Sequence, residues 1–410
     1  MRVRPSPRPI KRLRLGTFWV GSTAEGSGFA ERVSGTALFF MALAATIGIG
    51  FEEPRLEYGY EFVVFVLAAT RCAKGQRLPL IPGFPVAAIA GWGFLQLALG
   101  TTVYRFATLQ GSLRSAALGA TFLVGFSAFG SGGMRVGLLR ALAWLGALIA
   151  VISVLAYFTS PGKILWTFDA QYPDIWGPFP SRNNFAQFLE LAMPAALWLA
   201  LSEAAGSMLY LVFGSIMLAA GLASASRAGA LILLLEAIAM LWMRRGAPQA
   251  RRTGLILLAS TILFAAIPGV GTLVGRLESA DPYQGRREIA HSTLEMIAAR
   301  PAAGFGLGTF STVYPAYAVF DQGKSVEHAH NDWLEWASEG GLGFALAWLG
   351  VAAWSVRPAW RAGWGIGVLG CFLHGLVDYP FARFGISAWV FILLGILARS
   401  DLREVRRRGH

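Results

Sequence analysis

The sequence predicts an all-α fold, a polytopic membrane protein of about twelve transmembrane helices, and two observations carry that prediction. Apolar residues make up 55% of the 410 positions and charged residues 14%, against roughly 25% charged in soluble domains. Apolar runs of the length needed to cross a hydrocarbon core about 30 Å thick recur along nearly the whole chain. Lipid offers no hydrogen bonds, so each crossing segment must satisfy its backbone internally, as a helix does.

Taken in order, residues 1–33 form a basic tail with no small-residue cleavage site, so the first apolar run reads as a retained helix and not a removed signal peptide. Runs bounded by charges place spans at 34–50, 57–70, 80–100, 115–133, 136–158, 184–203, 206–224, 228–243, 253–273, 333–356, 363–378 and 384–398. Nine fall in 34–273, interrupted by an outer loop at 159–183. A loop at 274–332, the longest in the chain, separates them from the three in 333–398, and 399–410 is a second basic tail.

The formal charge of +12 raises nucleic acid as a partner, but the basic residues sit between apolar runs and not on one face, so membrane lipid is the expected neighbour and no nucleic acid is. With the N-terminus inside, the tails and the connections holding Arg71, Lys74 and Arg77, Arg135 and Arg140, Arg244, Arg245, Arg251 and Arg252, and Arg357 and Arg361 collect 23 of the 35 lysines and arginines. That bias obeys the positive-inside rule and fits an even number of spans with both termini cytoplasmic. Both long loops then lie outside, where the chemistry is expected. Cys72 and Cys371 are far apart and indicate neither a disulfide framework nor a cysteine metal site.

Several polar groups stand out. Arg182 precedes a helix whose first turn holds Asn183 and Asn184. A cation there opposes the helix dipole unless an anion joins it, although a lone arginine among lipid headgroups is the simpler account. Arg227 lies between two apolar runs with almost no loop, where snorkelling and function are both open readings. Glu236, deeper in the same span, reads as a helix-packing contact.

In the long loop, Arg286 and Arg287 open an amphipathic helix with Ile289, Leu294, Ile297 and Ala298 on one face and Pro301 beyond its end. The "GFGLG" after it lacks the context of a phosphate loop and reads as a tight re-entry turn. His328 and His330 follow at the lip of the next span. With His291 they would supply three zinc ligands. The alternatives are a general base, since a histidine near pKa 6.5 accepts a proton at neutral pH, or histidines simply bonded to headgroups or backbone. Asn331 and Asp332 suit helix capping, Glu335 and Glu339 suit the helix dipole, and Asp378 with Arg383 reads as a pair across a turn.

The stretches "GPFPSRNNFAQFLELAMP", "SASRAGALI", "GRREIAHSTLEMIAARPAAGFGLGTF" and "HAHNDWLEWASEGGLG" occur in an order and spacing that resembles the O-antigen ligase and Wzy-type polymerase superfamily over residues 170–350. The resemblance implies a GT-C type inner-membrane glycosyltransferase of lipopolysaccharide or other surface polysaccharide assembly. It moves a glycan from undecaprenyl diphosphate to an acceptor on the periplasmic side. The acceptor is lipid A–core sugar in ligases and another lipid-linked glycan in polymerases. It implies that His330 acts as base and that Arg182, Arg227 and Arg286, with Arg287 adjacent, hold the diphosphate, with His328, Asn331, Asn184 and Glu339 in support and without metal or other cofactor. A secondary transporter is the rival reading, but such proteins bind at the membrane midplane and often show internal repeats; no repeat is visible, and the polar residues gather at the outer edge.

Overall fold

The computed structural model describes residues 27–49, 54–76, 78–170, 175–202, 206–246, 250–265, 284–319 and 325–408. The basic N-terminal tail, the last part of span 253–273 and parts of the long loop 274–332 lie outside the described residues.

Each predicted span coincides with a helix: α1 Ser27–Gly48, α2 Pro54–Ala73, α3 Leu80–Leu99, α4 Arg105–Ala128, α5 Gly132–Thr159, α6 Arg182–Ser202, α7 Ser207–Ala223, α8 Arg227–Met243, α9 Ala250–Ala265, α12 Asp332–Ala362, α13 Ile366–His374 and α14 Phe384–Arg408. Between α9 and α12 the chain forms α10 Gln284–Ala299 and α11 Phe310–Val313. Helices α1, α3, α5, α6, α12 and α14 are each long and apolar enough to cross a membrane, and α7 is apolar but shorter. The chain is a largely helical, multi-pass membrane protein.

Four expectations change. The all-α fold carries one small antiparallel ribbon, Lys163–Ile164 with Phe168–Asp169, in the loop after α5. Span 115–133 starts ten residues early, because α4 begins at Arg105. Span 363–378 is only a nine-residue helix, about 14 Å long at 1.5 Å per residue and less than half a hydrocarbon core. On α10 the buried residues are Ile289, Ser292, Thr293 and Met296, while Leu294 and Ala298 are exposed. Serine and threonine occupy its inward stripe, Thr293 spending its hydroxyl on the Ile289 carbonyl at 2.7 Å, so apolar periodicity pointed to the wrong face.

Helix α6 is the centre of the bundle. It is apolar nearly all round, and every residue from Asn184 to Leu197 is buried. Helix α14 packs along α4, and glycines permit close approach: a Cβ on Gly125 would stand 2.9 Å from the Ile392 carbonyl oxygen. At one end, Arg135 donates to Ser400 at 3.2 Å, Arg361 lies 3.8 Å from Asp401 and Glu404, and Trp242 meets Trp360 at 5.8 Å. Basic residues of α5, α12 and α14 therefore gather at this end, and the polar site lies at the other.

The long loop returns through "GFGLG", and the re-entry turn is observed. Gly304, Gly306 and Gly308 all have positive φ. The backbone N–H groups of Phe305, Gly306 and Leu307 donate to Ser338 O, Glu339 O and Gln96 Oε1 at 2.8–3.1 Å, so protein acceptors already occupy them. Against this turn α12 breaks at Gly341 (φ 72°, ψ 178°), where the Leu342 N–H donates to Pro301 O at 2.8 Å.

A side chain at Gly341 would meet the Ala302 carbonyl and would have to adopt positive φ. Gly341→Ala should cost about 1–3 kcal/mol from the backbone alone, lowering the unfolding midpoint in detergent. Gly137→Ala, on the open face of α5, should leave it unchanged or raise it, by up to about 1 kcal/mol.

Candidate functional site

The site is assembled where the starts of α6, α8, α10 and α12 meet the turn between α13 and α14. That turn, residues 375–383, is fastened to the start of α12. The Asp332 N–H donates to Gly375 O at 2.9 Å, Asp332 Oδ2 accepts from the Phe381 N–H at 3.1 Å, and Asn331 Nδ2 donates to Leu376 O at 2.8 Å. Asn331 also caps α12, its Oδ1 accepting from the Leu334 N–H at 3.1 Å. From below, His374 O accepts from the Val377 and Asp378 N–H groups at 2.9 and 3.0 Å, and its ring is pinned to Glu190 Oε1 at 2.7 Å, both side chains fully buried.

This framework presents Asp378, only 3% exposed, as a hub. Its Oδ1 lies 3.4 Å from His330 Nδ1 and its Oδ2 3.6 Å from Arg286 Nη2, and Oδ2 also accepts from Asn183 Nδ2. Arg286 is further held by Val377 O at 2.7 Å. The expected pairing of Asp378 with Arg383 is therefore not formed; Arg383 lies over the Tyr379 ring at 5.3 Å. Burial alone would raise the Asp378 carboxyl, but the hydrogen bond from His330 and the charges of Arg286, His330 and His374 outweigh it and hold it at about 2.

Asn183 extends the hub to a third helix. Its Oδ1 accepts from Ser226 Oγ at 2.8 Å, and Ser226 caps α8 by accepting from the Gly229 N–H at 3.3 Å. Arg182 and Arg227 are the first residues of α6 and α8, so they flank this bond, each at a helix N-terminus where an anion is favoured. Two residues at this junction take the left-handed backbone: Ala225 with φ 55° and His330 with φ 50°. Such strain persists only where the surroundings fix it, and it clusters at functional positions.

The structure thus brings His330 and Arg286 into direct contact with one carboxylate, places Arg182 beside its third partner, Asn183, and places Arg227 beside Ser226, which bonds Asn183. Arg287 is exposed on α10, and it is Arg286 that reaches Asp378. Asn184 turns away into the bundle, bonded to Gln187 Oε1 and Ser181 Oγ at 2.9 Å, so Asn183 replaces it as the site residue. Glu339 clamps the glycine turn instead, accepting from the Phe310 N–H at 2.9 Å. His328 Nδ1 contacts Glu335 Oε1 at 2.9 Å, and its ring stacks on Tyr379 at 4.5 Å; His330 meets the same ring edge-on at 4.9 Å. His291 is exposed on α10, 3.7 Å from Glu295. Among the described residues no group of three or more His, Cys, Asp or Glu side chains is placed to hold a metal ion, so the zinc reading of His291, His328 and His330 is not supported. Glu236 is buried beside Gly370, and neither of its oxygens has a hydrogen-bond partner among the described residues.

Fold and site define a multi-pass membrane protein with a cluster of arginines and a carboxylate-held histidine at one end of its helices. Residues 212–349 match the family model described as O-antigen ligase. The match supports the O-antigen ligase and Wzy-type superfamily as the relatives of this chain, and an O-antigen ligase-like or polymerase-like function in general terms. It includes Arg227, Arg286, His328 and His330; Arg182 and Asp378 lie outside it. No curated protein matches the chain.

Because the Asp378 carboxyl titrates lower when folded than its ordinary 3.8, the stabilisation it supplies is complete above that value and is lost as pH falls through about 2. The stability gap between the wild type and Asp378→Asn should stay level from about pH 8 to pH 5 and narrow only below about pH 4 in detergent unfolding.

Proposed function

We propose that this chain is an inner-membrane glycosyltransferase that moves a glycan from undecaprenyl diphosphate to a sugar hydroxyl at the periplasmic surface, in the manner of an O-antigen ligase. The observation that carries the reading is the His330–Asp378–Arg286 contact, with Arg182 and Arg227 flanking the bond from Asn183 to Ser226. The orientation follows the basic residues: both termini cytoplasmic and the site on the periplasmic face.

In this mechanism Asp378 accepts the Nδ1–H of His330, which leaves the Nε2 lone pair for the acceptor hydroxyl. The separation of 3.4 Å is long for such a bond, as is common before substrate binds. His330 takes the hydroxyl proton while the acceptor oxygen attacks the anomeric carbon from the face opposite the diphosphate. The bond from that carbon to the diphosphate oxygen breaks, undecaprenyl diphosphate leaves, and the anomeric centre inverts. Arg286 uses two of its five N–H donors on Val377 and Asp378, so others remain for phosphate oxygens. Arg182 and Arg227 add charge at two helix N-termini, where negative charge on the leaving group is stabilised. No step requires a metal ion, and the substrates are the lipid-linked glycan and lipid A–core or another glycan.

His330→Ala, at normal expression, should lower transfer in membranes by about 10²–10⁴-fold; unchanged transfer sinks the general base. Arg286→Lys should lose activity because an ammonium cannot hold phosphate and carboxylate in one plane. Chelation with EDTA should leave transfer intact, and loss that zinc reverses would restore the metal reading. A deletion strain is expected to accumulate full-length chains on the lipid carrier. Single uncapped repeats would make the protein a polymerase, and normal surface glycan would overturn the proposal.

A further inference from the structure

A cavity of about 630 Å³ opens beside the Asp378 hub, between α1, α2, α4, α12 and the start of α14. The size is that of a small-molecule site. His328 lines its wall, and His328 and His330 contact the same tyrosine ring, so the cavity adjoins the proposed base.

Its chemistry is opposite to that of the arginine cluster. Six carboxyl groups, from Glu57, Glu61, Glu327, Asp332, Glu335 and Glu339, line it against two guanidinium groups, Arg114 and Arg383, and Arg114 is already 3.2 Å from Glu57. A diphosphate finds repulsion there if the acids are ionised and weak donors if they are not. Hydroxyl groups are served in either state, since a carboxylate accepts and a carboxylic acid both donates and accepts. Aromatic faces complete the lining. Trp336 and Trp348 stack on each other at 4.0 Å, and Phe381 closes over both.

One lining group is buried and unsatisfied: Trp348 is 3% exposed, and its indole N–H has no partner among the described residues. Glu61 lines the same cavity. Buried polar groups are normally bonded, so an open indole N–H on a wall shared with a carboxyl group indicates a missing polar ligand.

We infer that this cavity binds the hydroxyl-rich acceptor saccharide, held by Glu61 and the Trp348 indole N–H, while the diphosphate donor stays with the arginines at the hub. The inference rests on the transferase reading above and divides its two substrates between faces of opposite charge. Tyr379 and the paired histidines link the two, and the reacting hydroxyl reaches His330 Nε2 past them.

The test uses the full chain in nanodiscs, followed by tryptophan fluorescence. The probes are the acceptor glycan released from membranes of the deletion strain and, separately, undecaprenyl diphosphate. Glu61→Gln and Trp348→Phe should each weaken glycan binding by about tenfold, the worth of one good hydrogen bond, and leave undecaprenyl diphosphate binding unchanged. Arg286→Ala should do the reverse, which shows that each variant retains a folded site. Glycan binding unchanged in both cavity variants, or weaker undecaprenyl diphosphate binding in either, overturns the inference. Failure of the transferase reading appears separately, as normal surface glycan in the deletion strain.

Discussion

The polar end of this protein depends on one buried carboxylate. Asp378 cannot be solvated where it sits, so its charge must be met by protein groups. Asn183, Arg286 and His330 meet it from three separate segments. Each of those contacts also fixes a residue's position. Asn183 joins the first turns of α6 and α8, Arg286 anchors α10, and His330 is turned so that one ring nitrogen faces the acid. A site spread over nearly two hundred residues of sequence is thereby set by a single anion.

That anion is itself held from both sides. The buried Glu190–His374 pair braces the last turn of α13, from which Asp378 hangs, and Asn331 and Asp332 staple the same turn to α12. Removing one member of a buried pair usually costs far more than the pair contributes net, so Glu190 matters to the site without touching it. The glycine turn at 304–308 plays a comparable part for the cavity. It brings α11 against Glu339 and α12, and only residues free to take positive φ allow the chain to return so close to the helix.

The hub and the neighbouring cavity differ in charge. Arg286 and two helix N-termini meet at the hub, whereas carboxyl groups outnumber guanidinium groups in the cavity, beside indole rings. In a transferase this division makes each substrate disfavour the other's place, a form of specificity that operates by repulsion as much as by attraction. The histidines face opposite partners for the same reason: His330 lies by Asp378 and His328 by Glu335.

The sequence by itself determined the helical membrane class and the rough place of most helices, because hydrocarbon thickness and backbone hydrogen bonding impose lengths that apolar runs display directly. It also singled out His330, Arg182, Arg227 and Arg286, since polar residues at the edge of apolar runs are conspicuous. What it could not determine was which neighbours they choose. Asn183 and Asn184 look alike in one dimension, yet a rotation of 100° per residue sends one to Asp378 and the other into the bundle. The buried stripe of α10 was obscured because Ser292 and Thr293 share it with Ile289 and Met296, Thr293 bonding its own helix backbone. Asp378 itself seemed to belong with Arg383, five residues away. Only the tertiary structure, by carrying α6 and α10 to the same turn, gave it partners from distant segments, because a buried charge is matched by proximity in space and not in sequence.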